Sequence, residues 1–384
     1  MIRRNIPGRE MAEKSKKGFL LPPAVGYSLT ILASLLFRNQ VSLKYMPRLL
    51  LTLLINLINL PFRIYERLFI NPRMSKTELK HPPIFILGHW RSGTTHLHNL
   101  LCKDPMMAYS STFQSVFPDT LFSWLGRFLF EGFARLLIPG TRKGDNVVLG
   151  TRLPQEEEFA LGDKTPVCYY YFWMFPRRIR EFYGRGVRML GISEERKESW
   201  RSDYKLLISK AIRDTGGDRF LSKNPPNTGR INFLLETFPE AKFIHIHRDP
   251  VQVYLSTQNF FRKMMPHLQL QTIDQERLNE DIFEIYKMLM KDYLKQRSLV
   301  PEGQLVEVSF ESLEENPMGV LKGVYDNLDI EGFERARPFF QNYVDQMKSY
   351  RKNRHEIDPE LVKRIEKEWG FALKEWGYDK TLTS

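Results

Sequence analysis

The chain has 384 residues, with 57 Lys and Arg against 45 Asp and Glu, a net charge of +12, and 42% hydrophobic residues. That length and composition suit one sizeable globular core and exclude a chain disordered throughout or a disulfide-stapled miniprotein. The positive surplus favours anionic ligands. Basic residues alternate with acidic ones apart from short pairs such as Arg177-Arg178, so the long basic run of a nucleic-acid binder is missing and no nucleic-acid partner is expected.

In chain order, residues 1–19 are polar and basic. An apolar stretch, Ala24 to Phe37, follows without a small-residue cleavage signature, and it falls short of the roughly 20 residues that a spanning helix needs. A second stretch, Leu49 to Leu60, contains Asn56 and Asn59, stops at Pro61 and continues amphipathically through Phe69. Two short apolar helices flanked by Lys and Arg fit two descriptions. They form a hairpin lying in a membrane interface, with peripheral contact through residues 20–70, or they cover the next domain or make a dimer contact. The expected division is a basic, apolar helical segment over residues 1–75 and one α/β domain over 76–384.

From Pro82 onward strands and helices alternate. Ile84-Phe85-Ile86-Leu87 reads as a strand buried on both faces. Further strands are expected at Arg219–Ser222, Phe243–His247 and Leu305–Val308, with helices near Ile231–Phe238, Val251–Phe261, Glu280–Arg297 and Pro359–Glu375. Such alternation implies a parallel sheet with helices on both faces and ligands at the carboxyl ends of the strands. Ser115–Gly217 is less regular and rich in aromatics. Cys102 and Cys168 have no metal-ligand spacing and cannot form a disulfide framework, so a reducing, cytoplasmic compartment is the expectation.

Two sequences at strand ends carry chemistry. Gly88-His89-Trp90-Arg91-Ser92-Gly93-Thr94-Thr95 joins the first strand to a helix. Its glycines let successive N–H groups turn inward, the helix start adds positive potential, and Ser92, Thr94 and Thr95 add hydroxyl donors. The Gly-x4-Gly spacing is that of a Walker A loop, but Thr94 stands where that loop has lysine, and the cation is Arg91. The loop therefore suits a nucleotide without a triphosphate tail. The second sequence, Arg248-Asp249-Pro250, ends another strand: Asp249 suits an N-cap, Pro250 a first helical position, and Ser256 lies two turns on. Arg248 and Ser256 then offer a guanidinium and a hydroxyl for a second phosphate.

Together these motifs resemble the two sites for 3′-phosphoadenosine-5′-phosphosulfate (PAPS) in the sulfotransferase family, in its bacterial and Golgi-like branch with arginine in the loop. The resemblance covers roughly Pro82 to Tyr378 and implies a P-loop-type parallel sheet. It implies that Gly88, Arg91, Ser92, Gly93, Thr94 and Thr95 grip the 5′-phosphosulfate, and that Arg248 and Ser256 bind the 3′-phosphate. Tyr350-Arg351-Lys352-Asn353 is similar to a late basic segment that completes the family's nucleotide site, with Arg351 and Lys352 as candidates; read alone it is equally a solvated loop.

Sulfuryl transfer is mainly positioning and charge stabilisation, and neither a metal nor a metal-spaced cluster is expected. Arg91 and Lys223, the latter in Leu221-Ser222-Lys223-Asn224-Pro225, are the candidate cations for the leaving group. A general base is needed for the acceptor. Relatives carry Glu or His soon after the first helix, whereas Tyr109–Gln114 has neither. The substitute is Pro154-Gln155-Glu156-Glu157-Glu158, with Glu156 first, Glu158 second and His89 third. Tyr169-Tyr170-Tyr171-Phe172-Trp173 reads as core or as the wall of an acceptor pocket. The expected acceptor is a hydroxyl or amine on a small molecule, lipid or glycan. The competing readings are a P-loop kinase-like phosphotransferase and a catalytically silent nucleotide-binding module at a membrane.

Overall fold

The structure is a computed structural model that describes residues 24–137, 150–347 and 358–379. Its centre is a five-stranded sheet: β1 Ile84–Leu87, β2 Met107–Ala108, β3 Arg219–Lys223, β4 Lys242–His247 and β5 Leu305–Ser309. All pairs are parallel, in the order β2-β3-β1-β4-β5. Four of the strands stand where apolar runs announced them. The two-residue edge strand β2 is too short to leave any periodic signal.

Alternate residues of a strand face opposite sides of its sheet, and β1 divides in this way. Phe85 and Leu87 pack with Trp200, Tyr204 and Leu207 on one face. Ile84 and Ile86 pack with Leu97, Leu100 and Leu321 on the other. All four are buried, which explains the unbroken apolar run. The register of β1 on β4 pairs Ile84 with Lys242 and Leu87 with His245. The segments that follow Leu87 and His247 therefore emerge side by side at one edge of the sheet.

The irregular stretch resolves into helices at Trp124–Leu137, Glu158–Lys164, Ile179–Gly186 and Glu194–Thr215, with a tight turn at Tyr169–Trp173. That aromatic run is core, with every ring buried.

Before the sheet come α1, Leu29–Arg38, and α2, Met46–Tyr65. The amphipathic continuation beyond Pro61 is helical: α2 passes through the proline, widens to a π-helical turn at Glu66–Ile70 and ends with Asn71–Met74. Proline removes one backbone donor, but side chains just beyond it fasten the helix to the domain. Arg63 donates to Asp163 at 2.5 Å and to Gly26 O at 2.6 Å. Glu66 pairs with Lys210 at 2.5 Å, both fully buried. Asp119 lies in the same network. Burial alone would raise its pKa, but Lys164, Lys210 and Arg63 hold its carboxyl well below the usual carboxylate range. Ile31, Leu32 and Leu35 of α1 share a core with the Tyr169–Phe175 run. Residues 43–74 are, among the described residues, long and apolar enough to cross a membrane by length and composition.

Candidate functional site

The loop after β1 needs its glycines. Gly88 has φ +140°, and a Cβ there would lie 2.5 Å from Ile246 O; Gly93 has φ +98°, and a Cβ would lie 2.3 Å from the Phe310 ring. Arg91 between them also adopts a left-handed φ of +73°, a conformation that costs a non-glycine residue on the order of 1–3 kcal/mol and persists where surroundings fix it. Ser92 N donates to His89 O at 3.2 Å, and the Thr94–Leu101 helix starts immediately after Gly93. Its free N–H groups and dipole favour an anion at the loop.

At the end of β4, the Asp249 carboxylate accepts from Val251 N at 2.9 Å and caps the Pro250–Leu268 helix, with Pro250 at its first position. The two loops touch. Arg91 Nε donates to Ser256 Oγ at 2.9 Å, and Arg248 Nη1 donates to Arg91 O at 3.3 Å. Both guanidinium groups lie over rings, Arg248 over Phe310 at 4.3 Å and Arg91 over Phe260 at 5.2 Å. Arg351 and Lys352 lie outside the described residues.

Lys223 ends β3, whose register sets it opposite Ile86 of β1, and its Nζ donates to Glu156. The other oxygen of Glu156 accepts from the Tyr170 hydroxyl, which itself accepts from Trp90 Nε1 at 3.1 Å. Burial, then the Glu156 charge, pushes the Tyr170 phenol well above its usual range, so it stays protonated and donates. A chain of bonds thus runs from the β1 loop through Tyr170 and Glu156 to Lys223.

The next two glutamates have other partners. Glu157 is buried and accepts from Tyr204 Oη at 2.7 Å and from Ser222, and burial raises its proton affinity. Glu158, the second candidate base, is wholly buried; it pairs with Arg230 at 2.6 Å and accepts from Asn224 at 2.8 Å and Tyr169 N at 3.0 Å. With those donors around it, its carboxylate is built into the wall rather than turned to the loops. His89, the third candidate, is also buried; its Nδ1–H donates to Trp90 O at 2.8 Å, and burial lowers its pKa to about 4. Bound in this way, it is poorly suited to collect a proton. Arg230 carries no signal in the sequence, and Tyr170 and Trp90 figure there only within the aromatic run and the first loop, because nothing near them in the chain marks their partners. Among the described residues, no three His, Cys, Asp or Glu side chains converge as a metal site.

An arginine-bearing loop bonded to a second arginine at a parallel-sheet edge is what the two motifs required. Residues 82–135 and 177–335 match the sulfotransferase family. The chain belongs to that family. As a sulfotransferase it is an enzyme of sulfuryl transfer. The matched residues include the β1 loop, Lys223, Arg248 and Ser256, and leave out Glu156, Glu158 and Tyr170. Omega-hydroxy-beta-dihydromenaquinone-9 sulfotransferase Stf3 of Mycobacterium bovis is 28% identical over 367 residues, 94% of this chain and 92% of its own length; the Mycobacterium tuberculosis protein of that name is equally similar. Such coverage takes in most of residues 24–75. The fold resembles the crystal structures of sulfotransferase STF9 from Mycobacterium avium and STF1 from M. tuberculosis. For STF9 the TM-score is 0.65 at 17% identity, over 91% of this chain and 97% of that one; for STF1 it is 0.62 at 17% identity, over 82% and 85%.

Proposed function

We propose that this sulfotransferase moves the sulfuryl group of PAPS to a hydroxyl on a lipophilic acceptor. The donor reading rests on one observation above all, the direct bonding of the two loops through Arg91, Ser256 and Arg248. Two cationic anchors on one rim suit a nucleotide phosphorylated at two places. In this reading Gly88, Arg91, Ser92, Gly93, Thr94 and Thr95 hold the 5′-phosphosulfate, and Arg248 with Ser256 holds the 3′-phosphate.

Glu156 is the assigned base and Lys223 the assigned cation. The acceptor oxygen forms its bond to sulfur as the bond from sulfur to the bridging phosphate oxygen breaks. The hydroxyl proton passes to Glu156, and the charge gathering on the bridging oxygen is met by Lys223 and Arg91. No metal has a part in this scheme. The Lys223–Glu156 ion pair holds the assigned base and the assigned cation side by side.

The lipophilic acceptor is supported by the full-length similarity to an enzyme named for a menaquinone derivative and by the aromatic surroundings of Glu156, where Tyr170 packs on Phe159 and Trp90. Peripheral membrane contact through residues 20–70, treated as an N-terminal segment of residues 1–75 ahead of the 76–384 domain, belongs to the same reading, because such acceptors reside in bilayers. Calorimetry comparing adenosine 3′,5′-bisphosphate with AMP tests the donor assignment. The bisphosphate is expected to bind at least about tenfold more tightly, in line with a charge-assisted bond; equal affinities would overturn it.

A further inference from the structure

A helix that lies on a water-soluble domain turns its apolar stripe inward and its polar stripe to solvent. In α2 the order is reversed. The side against the domain carries Thr52, Asn56, Asn59, Arg63 and, in the turn that follows, Glu66, all buried, with Leu49 and Ile55 the buried apolar residues among them. These groups are bonded: Asn56 accepts from Gly26 N at 2.7 Å and donates to Ala24 O at 2.9 Å, Asn59 accepts from Thr120 at 2.7 Å, and Glu66 accepts from Phe122 N at 2.8 Å. The opposite side exposes Leu50 (60%), Leu54 (54%), Leu57 (58%) and Ile58 (54%), at the spacing of one helical face.

A second helix extends this face. Trp124–Leu137 packs alongside α2, with Phe62 edge-on to Phe130 at 6.1 Å, and it exposes Trp124 (82%) and Phe128 (70%). Of the twenty large hydrophobic residues exposed among the described residues, ten lie on 46–69 and five on 124–133. A patch this concentrated calls for a cover. Its charge indicates which. From Ala24 to Met74 the sole acidic residue is Glu66, which is buried against Lys210, while Arg38, Lys44, Arg67 and Arg73 are exposed. On the second helix Glu131 is held by Arg127 and Arg135. The surface is apolar with a basic, carboxylate-poor rim, complementary to anionic headgroups.

We propose that the outer face of α2 and the Trp124–Phe133 segment together form a membrane-docking surface, lying in the headgroup region of an anionic bilayer with α2 parallel to its plane. The buried stripe opposes spanning. Drawing α2 into hydrocarbon would separate Arg63 from Asp163 and Glu66 from Lys210, leaving charges unpaired in an apolar medium. Docking also bears on the acceptor, and this point rests on the reading given above. Arg63 binds Asp163 near the end of the Glu158–Lys164 helix, and Glu156 stands just before its start. Seven helical residues span about 10 Å, so an amphiphile leaving the bilayer has a short path to Glu156.

The test is flotation of the full-length chain with phosphatidylcholine vesicles containing about 30 mol % phosphatidylglycerol, beside pure phosphatidylcholine vesicles. The chain is expected to float with the anionic vesicles, and less so with neutral ones or at high salt. Leu54→Glu with Leu57→Glu, and separately Trp124→Glu with Phe128→Glu, should each cut binding at least about tenfold, since each places two charges in an apolar face. Unchanged Tm and unchanged binding of adenosine 3′,5′-bisphosphate would show that these variants fold. Equal flotation of both variants and the parent would overturn the proposal. So would absence of flotation combined with a concentration-dependent dimer, in sedimentation velocity, that either pair of substitutions dissolves. Neither readout involves sulfuryl transfer, so failure here leaves the donor and acceptor assignments to their own tests.

Discussion

Charge is used differently in two parts of the molecule. At the sheet edge, Arg91 and Arg248 are partly exposed and bond a hydroxyl and a backbone carbonyl. In the wall behind, Arg230 and Glu158 meet with both side chains fully excluded from solvent, and Lys210 meets Glu66 in the same way. Glu156 and Lys223 stand between these extremes, buried but next to the loops. A buried charge with a matched partner serves the fold, because removing either member strands the other. A partly exposed guanidinium at a loop edge is open to an incoming anion.

The largest expected effect breaks the wall. Arg230→Ala should lower stability by about 3–5 kcal/mol, the cost of orphaning a buried carboxylate, measured by chemical denaturation. A loss under about 1 kcal/mol, the range of exposed pairs, would erase the contrast. Next, Lys223→Ala should reduce turnover by about 10²–10³-fold, as for removal of one group that stabilises developing charge, in a labelled-sulfate transfer assay. Its affinity for adenosine 3′,5′-bisphosphate should change little; equal losses in both would make Lys223 part of the wall. Arg248→Ala should weaken that ligand by about 10–100-fold, the worth of one charge-assisted bond, with the folded state intact. An unaltered affinity would remove Arg248 from the donor site.

The smallest effect is on pH. His89 and His98 are pushed from 6.5 to about 4 and about 3, by burial first and for His98 also by the Lys223 charge. Both stay neutral in the fold, whereas the unfolded chain takes up protons below about 6.5. The stability they lend is complete above that value and is lost as pH falls toward 4, by about 1.4 kcal/mol per unit for each histidine. Thermal unfolding from pH 7 to 4 should show this slope, and His98→Gln should reduce it.

Much of this was legible in the chain. Ile84–Leu87 announced a doubly covered strand, and Gly88–Thr95 and Arg248-Asp249-Pro250 announced their turns, because glycine, N-cap and first-turn preferences act over a few residues. Glu156 and Glu158 were indistinguishable as neighbours in one acidic run. Their partners, Lys223 and Arg230, lie 67 and 72 residues away, and no local pattern records which carboxylate meets which cation.

The sequence by itself determined the parallel sheet and the two turns at its edge, since these follow from short-range backbone preferences and apolar periodicity, and the resemblance of those turns to known motifs pointed to the family. Only the tertiary structure decided that the turns bond one another, that Tyr170 reaches Glu156, and that α2 is laid on the domain with its polar side inward. Composition shows that a helix has two unlike sides. Which side faces the protein depends on the buried partners waiting for it, here Asp163, Lys210 and Thr120, and those are assembled only by the fold.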